Sequence, residues 1–176
     1  MKKINNVLLT GILLAATLIS QAQKMNTIAI DAGDFPGYFK PAENIPESRL
    51  NEININAIRH FTLFFENPLR VKWYKTPVGF LVYFTCENMK KMAAYNKKGI
   101  WVHTLSYYGE YKLPGYVRHL VKSIYYDFII NQVIQLEEDN QLVYMVQMED
   151  PTSFITVAVD DYEMKIVKAI KKQGER

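Results

Sequence analysis

Two short stretches of this chain repeat one pattern. Ala57-Ile58-Arg59-His60-Phe61 is echoed 59 residues later by Tyr116-Val117-Arg118-His119-Leu120. A second pair, Leu81-Val82-Tyr83-Phe84 and Leu142-Val143-Tyr144-Met145, repeats at an offset of 61. The offsets are nearly equal, so the chain reads as an internal duplication of a unit of about 60 residues. That constrains the fold more than any other feature.

Each copy opens with a helical pattern. The first helix is expected from about Asn51 to Phe65. Ala57, Phe61, Phe64 and Phe65 fall on one face, and Asn67-Pro68 stops it. The second is expected over Leu113–Phe128, with Pro114 in the first turn. Its apolar stripe is Val117, Leu120, Val121 and Ile124. Four strand patterns follow each helix. After the first they are Val71–Lys75, Phe80–Cys86, Lys90–Tyr95 and Ile100–Tyr108. After the second they are Phe128–Leu136, Leu142–Met148, Phe154–Val159 and Tyr162–Ile170. Turn signals separate them: Thr76-Pro77-Val78-Gly79, Asn96-Lys97-Lys98-Gly99 with a glycine for positive φ, Glu137-Glu138-Asp139-Asn140, and Asp160-Asp161. The expectation is an α+β fold. Two helix-plus-four-stranded antiparallel meander repeats form one curved sheet with helices on one face. The first repeat covers 51–109, the second 110–172, and 173–176 is a charged tail.

Ahead of the repeats, Lys2 and Lys3 precede an apolar run from Val7 to Ile19 and the small-x-small site Ser20-Gln21-Ala22. This reads as a secretory signal over 1–22, cleaved after Ala22. The run is too short to span a bilayer, and no Cys follows to carry a lipid. Export to the periplasm or beyond is expected, with no stable membrane anchor after cleavage. Residues 23–50 are a lead-in broken by Pro36, Pro41 and Pro46, in which Thr27–Ile30 suits a short strand. Its Asp31, Asp34 and Glu43 lack the spacing of a calcium loop. Cleavage would leave 176 − 22 = 154 residues and lower the formal net charge from +3 to +1 by removing two lysines. A charge that small gives no electrostatic case for nucleic acid. The lysines of 168–176 read as a solvated end.

Val71-Lys72-Trp73-Tyr74-Lys75-Thr76 with Gly79-Phe80, and Tyr95-Asn96-Lys97-Lys98-Gly99-Ile100-Trp101, look like the PepSY-like proteins of Bacteroidetes. So do Lys112-Leu113-Pro114, Val117-Arg118, Val121-Lys122-Ser123 and Tyr125-Tyr126-Asp127. That family resembles the β-lactamase inhibitor protein in fold. The resemblance covers about Asn51 to Lys172. It implies an exported, non-enzymatic protein, with inhibition of a periplasmic enzyme suggested by fold analogy alone. No contact residues carry over, because no binding motif matches residue by residue.

Chemistry is sparse. Cys86 is the only cysteine, so no internal disulfide forms; it reads as a small buried strand residue. His60 and His119 occupy equivalent helix positions, but their spacing fits no metal-ligand pattern. His103 lies on a strand with Trp101, Leu105 and Tyr107 at alternate positions, which suits packing better than general-base work. The acidic residues sit in turns. No phosphate loop, nucleophile elbow or Cys-x-x-Cys is present, and no cofactor or metal is expected. The suggestive feature is aromatic: 12 Tyr, 9 Phe and 2 Trp. Helices can cover one face of a sheet, and the other face must meet water or a partner. Alternation alone does not say which face that is.

These observations point to an exported, periplasmic, non-enzymatic binding module for a protein or peptide, inhibitor-like in the sense the resemblance implies. The open sheet face would do the binding, with Tyr74, Tyr83, Trp101, His103, Tyr107 and Tyr144 as candidate contacts. The alternatives are a small-ligand sensor at the repeat junction and, further off, a small hydrolase using Cys86 or His103 with a carboxylate.

Overall fold

The computed structural model describes residues 43–173. The expected signal segment, the Thr27–Ile30 strand, Asp31, Asp34 and most of the lead-in fall outside them.

The strands are β1 (Glu43–Ile45), β2 (Leu69–Thr76), β3 (Gly79–Cys86), β4 (Met89–Asn96), β5 (Trp101–Tyr108), β6 (Ile129–Glu138), β7 (Gln141–Glu149), β8 (Ser153–Asp160) and β9 (Glu163–Lys171). They form one nine-stranded sheet in sequence order, every pair antiparallel. Two ten-residue helices interrupt the meander: α1 (Ile55–Phe64) before β2, and α2 (Gly115–Ile124) between β5 and β6.

The expected α+β class of two helix-plus-four-strand repeats is therefore corrected: the fold is sheet-dominated. The finding that overturns the expectation is the share of strand: among the described residues, nine strands in one sheet carry only two ten-residue helices. The ladder is continuous from β5 to β6, Thr104↔Glu137 to Tyr108↔Val133, and the lead-in adds a strand outside both expected units through Ile45↔Trp73. Antiparallel pairing leaves no free edge in the middle of the sheet, so no internal seam divides it.

The hairpin turns follow local chemistry. Glu87-Asn88, Asp139-Asn140 and Asp161-Tyr162 all hold positive φ at both residues, as tight two-residue hairpins require. Gly99 (φ +77) lies against the start of α1, where an added Cβ would come within 2.7 Å of Asn54 Oδ1. Asn54 caps that helix by accepting from Asn56 N–H at 3.0 Å, and its amide donates to Lys97 O at 3.2 Å. The β4–β5 turn and the helix start thus fix each other.

Both helices lie on the same sheet face. Phe61 of α1 meets Trp73 and Phe84 edge-on at 5.4 and 5.0 Å. Val117 and Val121 of α2 join Tyr144, Val146 and Val157 in a second cluster. The paired row Phe84–Lys91–Ser106–Gln135–Tyr144 shows that these positions share a face. Two expected helix positions are not core. Phe64 is 69% exposed and Ile124 61% exposed, because each lies at the last residue of its helix, beyond the sheet-facing turns.

Candidate interaction faces

The face away from the helices follows from register. Side chains alternate along a strand and partners share a face. Leu81, Met92, Leu105, Leu136 and Val143 therefore belong to the second face, on which Met145 also lies opposite Ile134. These residues are all buried, although both helices lie on the other side.

Four of the six candidate contacts fall on this second face: Tyr74, Tyr83, His103 and Tyr107. Each is half-buried. Tyr74 and Tyr83 meet edge to face at 5.3 Å. Burial, then the neighbouring Tyr74, pushes the Tyr83 hydroxyl up to about 12. Burial and Tyr83 likewise raise Tyr107, so these phenols stay protonated and can donate hydrogen bonds. Burial lowers His103 below the usual histidine range, favouring the neutral ring.

Trp101 and Tyr144 lie on the helix face instead. Simple alternation would group Trp101 with His103. A register shift intervenes: Ala94 pairs with His103 but Tyr95 with Trp101, leaving Val102 as the extra residue of a bulge. Trp101 thereby turns toward α1. It stacks with His60 at 6.0 Å and donates its indole N–H to Thr104 Oγ1 at 2.9 Å. Tyr144 is buried beneath Tyr116 of α2, with ring centroids 6.2 Å apart. Burial, then its hydrogen bond with Tyr116, pushes its hydroxyl up to about 12.

His60 and His119 do not converge. His60 is half-buried, stacked on Phe64 at 4.2 Å with Nδ1 3.0 Å from Tyr95 Oη. His119 is exposed on α2. Cys86 is buried in the α1 cluster, and its thiol donates to Glu66 O at 3.2 Å. It is held by a backbone carbonyl and apolar neighbours, which does not support the hydrolase alternative through this thiol. Among the described residues, no three His, Cys, Asp or Glu side chains are grouped to hold a metal ion. Nor is any described helix long and apolar enough to cross a membrane.

Sequence reasoning missed one aromatic cluster. Tyr116 packs on Tyr162 at 4.8 Å as well as on Tyr144. Its members come from a helix, a strand and a turn. Only the placement of Tyr162 beside the Asp160-Asp161 turn signal hinted at it.

No family model and no curated protein matches this sequence. Solved structures do match in fold. A BLIP-like protein from Bacteroides fragilis superposes with a TM-score of 0.56 at 14% identity, covering 70% of this chain and 89% of its own. A candidate periplasmic protein from Bacteroides eggerthii gives 0.55 at 9% identity, covering 68% and 88%. A DUF2874 family protein from Bacteroides ovatus gives 0.55 at 16%, covering 66% and 85%. The chain thus shares the BLIP-like fold of these Bacteroides proteins. At such identities the likeness concerns fold alone.

Proposed function

We propose that this chain is a PepSY-like, exported, non-enzymatic module that binds a periplasmic protein or peptide through the second sheet face. One observation carries the reading. An antiparallel sheet with helices on one side ordinarily shows water an alternation of polar side chains on the other. Here the second face is apolar along its middle strands; those residues are already buried within the chain, so a partner would meet the half-buried aromatic residues around them. The candidate contacts on this face are the half-buried Tyr74, Tyr83, His103 and Tyr107, whose side chains combine apolar area with a polar edge. The fold neighbours support the class, one of them described as BLIP-like and another as a candidate periplasmic protein.

Site-specific photo-crosslinking in the native envelope tests this. A crosslinker at position 83 or 107 is expected to capture a discrete protein adduct. One at Leu63, exposed on α1, is expected to capture none. No adduct from 83 and 107, or an equal adduct from 63, overturns the proposal.

A further inference from the structure

The two outer strands of the sheet differ. At one side, β1 covers β2 over three residues, and a register shift with Arg70 at φ +54 breaks β2 beyond them. At the other, β9 runs for nine residues and pairs with β8 from Asp160↔Glu163 to Ser153↔Lys171. Among the described residues, no strand pairs with its outer side. Alternate residues of an antiparallel strand turn their N–H and C=O groups away from the partner. The outer side of β9 is therefore a row of donors and acceptors. No residue of β9 is buried, whereas β8 buries Thr156, Val157, Ala158 and Val159 in succession.

Register places the side chains. Met164 and Ile166 pair with Val159 and Val157 of the α2 cluster, which puts them on the helix face, and Ile166 is 61% exposed. Lys165 pairs with Ala158, itself opposite Met145, and Lys168 pairs with Thr156, opposite Gln147. Both lysines therefore lie on the second face. Lys171 ends the strand opposite Ser153. Lys165 lies 3.5 Å from Glu163, while Lys168 and Lys171 form no ion pair among the described residues. Lysines and bulges on an edge keep like edges apart, and β9 has both, since its pairing with β8 shifts between Thr156 and Val157. A second copy of β9 would set three lysines against three, which is unfavourable across strands. The same charge favours an acidic strand. Such a strand crosses the bulge by one step of register, as β8 does from the inner side.

We propose that the β9 edge accepts an extended acidic segment of another protein as an added strand. The segment's backbone continues the ladder. Its carboxylates stand beside Lys165 and Lys168, and apolar side chains at the alternate positions cover Met164 and Ile166. Three strands separate β9 from β5, which carries Tyr107, so this edge is independent of the binding face proposed above.

Fluorescence anisotropy of a labelled octapeptide of alternating Glu and Val, titrated with the protein, tests the idea. Binding is expected, with none for the Lys/Val counterpart. Methylating the backbone nitrogens of the valines or of the glutamates should abolish binding in one case and spare it in the other, because only one set of N–H groups meets the edge. Lys165→Glu with Lys168→Glu is expected to weaken the Glu/Val peptide about 10-fold, the scale of two cross-strand charge pairs turned from attractive to repulsive, and to admit the Lys/Val peptide. The same charge change at the exposed turn, Lys97→Glu with Lys98→Glu, leaves both unchanged. Four outcomes overturn the proposal: no binding of the Glu/Val peptide, equal binding of the two methylated forms, equal effects of the two charge reversals, or a dimer of the chain that the peptide dissociates.

Discussion

The two clusters beneath the helices solve one packing problem with different side chains. Under α1 the contacts are aromatic. Phe61 touches Phe65, Trp73 and Phe84 with ring centroids 5.0 to 5.4 Å apart, and Tyr95 packs on Trp73 at 5.7 Å. Under α2 they are largely aliphatic: Val117, Val121, Val133, Val146, Val157 and Val159 are fully buried, with Met148 among them. Edge-to-face rings are worth roughly 0.5–1.5 kcal/mol beyond the area they bury, but only at a fixed geometry. Valines and methionine fill space with fewer angular demands. The comparison teaches that a shared sheet face and similar helices do not impose similar cores. It also explains why an echo in sequence is a weak guide to equivalence in packing.

The largest expected effect tests that contrast directly. Phe61→Ala empties the centre of three ring contacts and is expected to cost about 3–5 kcal/mol, against about 2–5 kcal/mol for Met148→Ala, where fewer directional contacts are lost. Urea denaturation of both variants measures this, and a larger cost for Met148→Ala would break the comparison. Near-ultraviolet circular dichroism should change strongly only in the Phe61 variant.

The helix starts give a smaller difference. Asn54→Ala removes a side-chain cap and the tie to Lys97 O, with an expected cost of about 1 kcal/mol. The residue before α2, Pro114, makes no side-chain cap bond. Pro114→Ala therefore acts through the entropy of the unfolded chain, at below about 1 kcal/mol. Equal losses in the two variants would contradict the assigned cap.

The smallest effect is acid sensitivity. Burial lowers His60 below 6.5 in the folded protein, and His103 likewise. The unfolded chain then binds more protons, so both histidines contribute stability above pH 6.5 that is lost as pH falls through and below that value. Melting temperatures at pH 7.5 and 5.5 should show a drop that narrows in His60→Gln and in His103→Gln. The α2 cluster contains no histidine, so the drop belongs to the α1 side and the second face. An undiminished drop in both variants would contradict the burial of these two rings as its cause.

Much of this molecule was legible in its residues. Both helices and the eight main strands lie within a few residues of their expected places, because amphipathic period, Pro68 and the Asn, Asp and Gly turn residues act locally. The buried place of Cys86 followed from its apolar strand in the same way. The expected class failed, since neither the balance of strand over helix in the whole molecule nor the attachment of β1 is a local property. The candidate contacts split for a related reason. A period of two yields two faces but does not name them, and one extra residue at Val102 moved Trp101 to the face opposite His103. Such a bulge exists only in relation to the partner strand, and Tyr162 meets Tyr116 only once a turn and a helix are brought together. Sequence therefore determined the elements, whose forces act over a few residues. The tertiary structure alone decided the faces, the sheet's continuity and the aromatic surface, whose forces act between residues far apart along the chain.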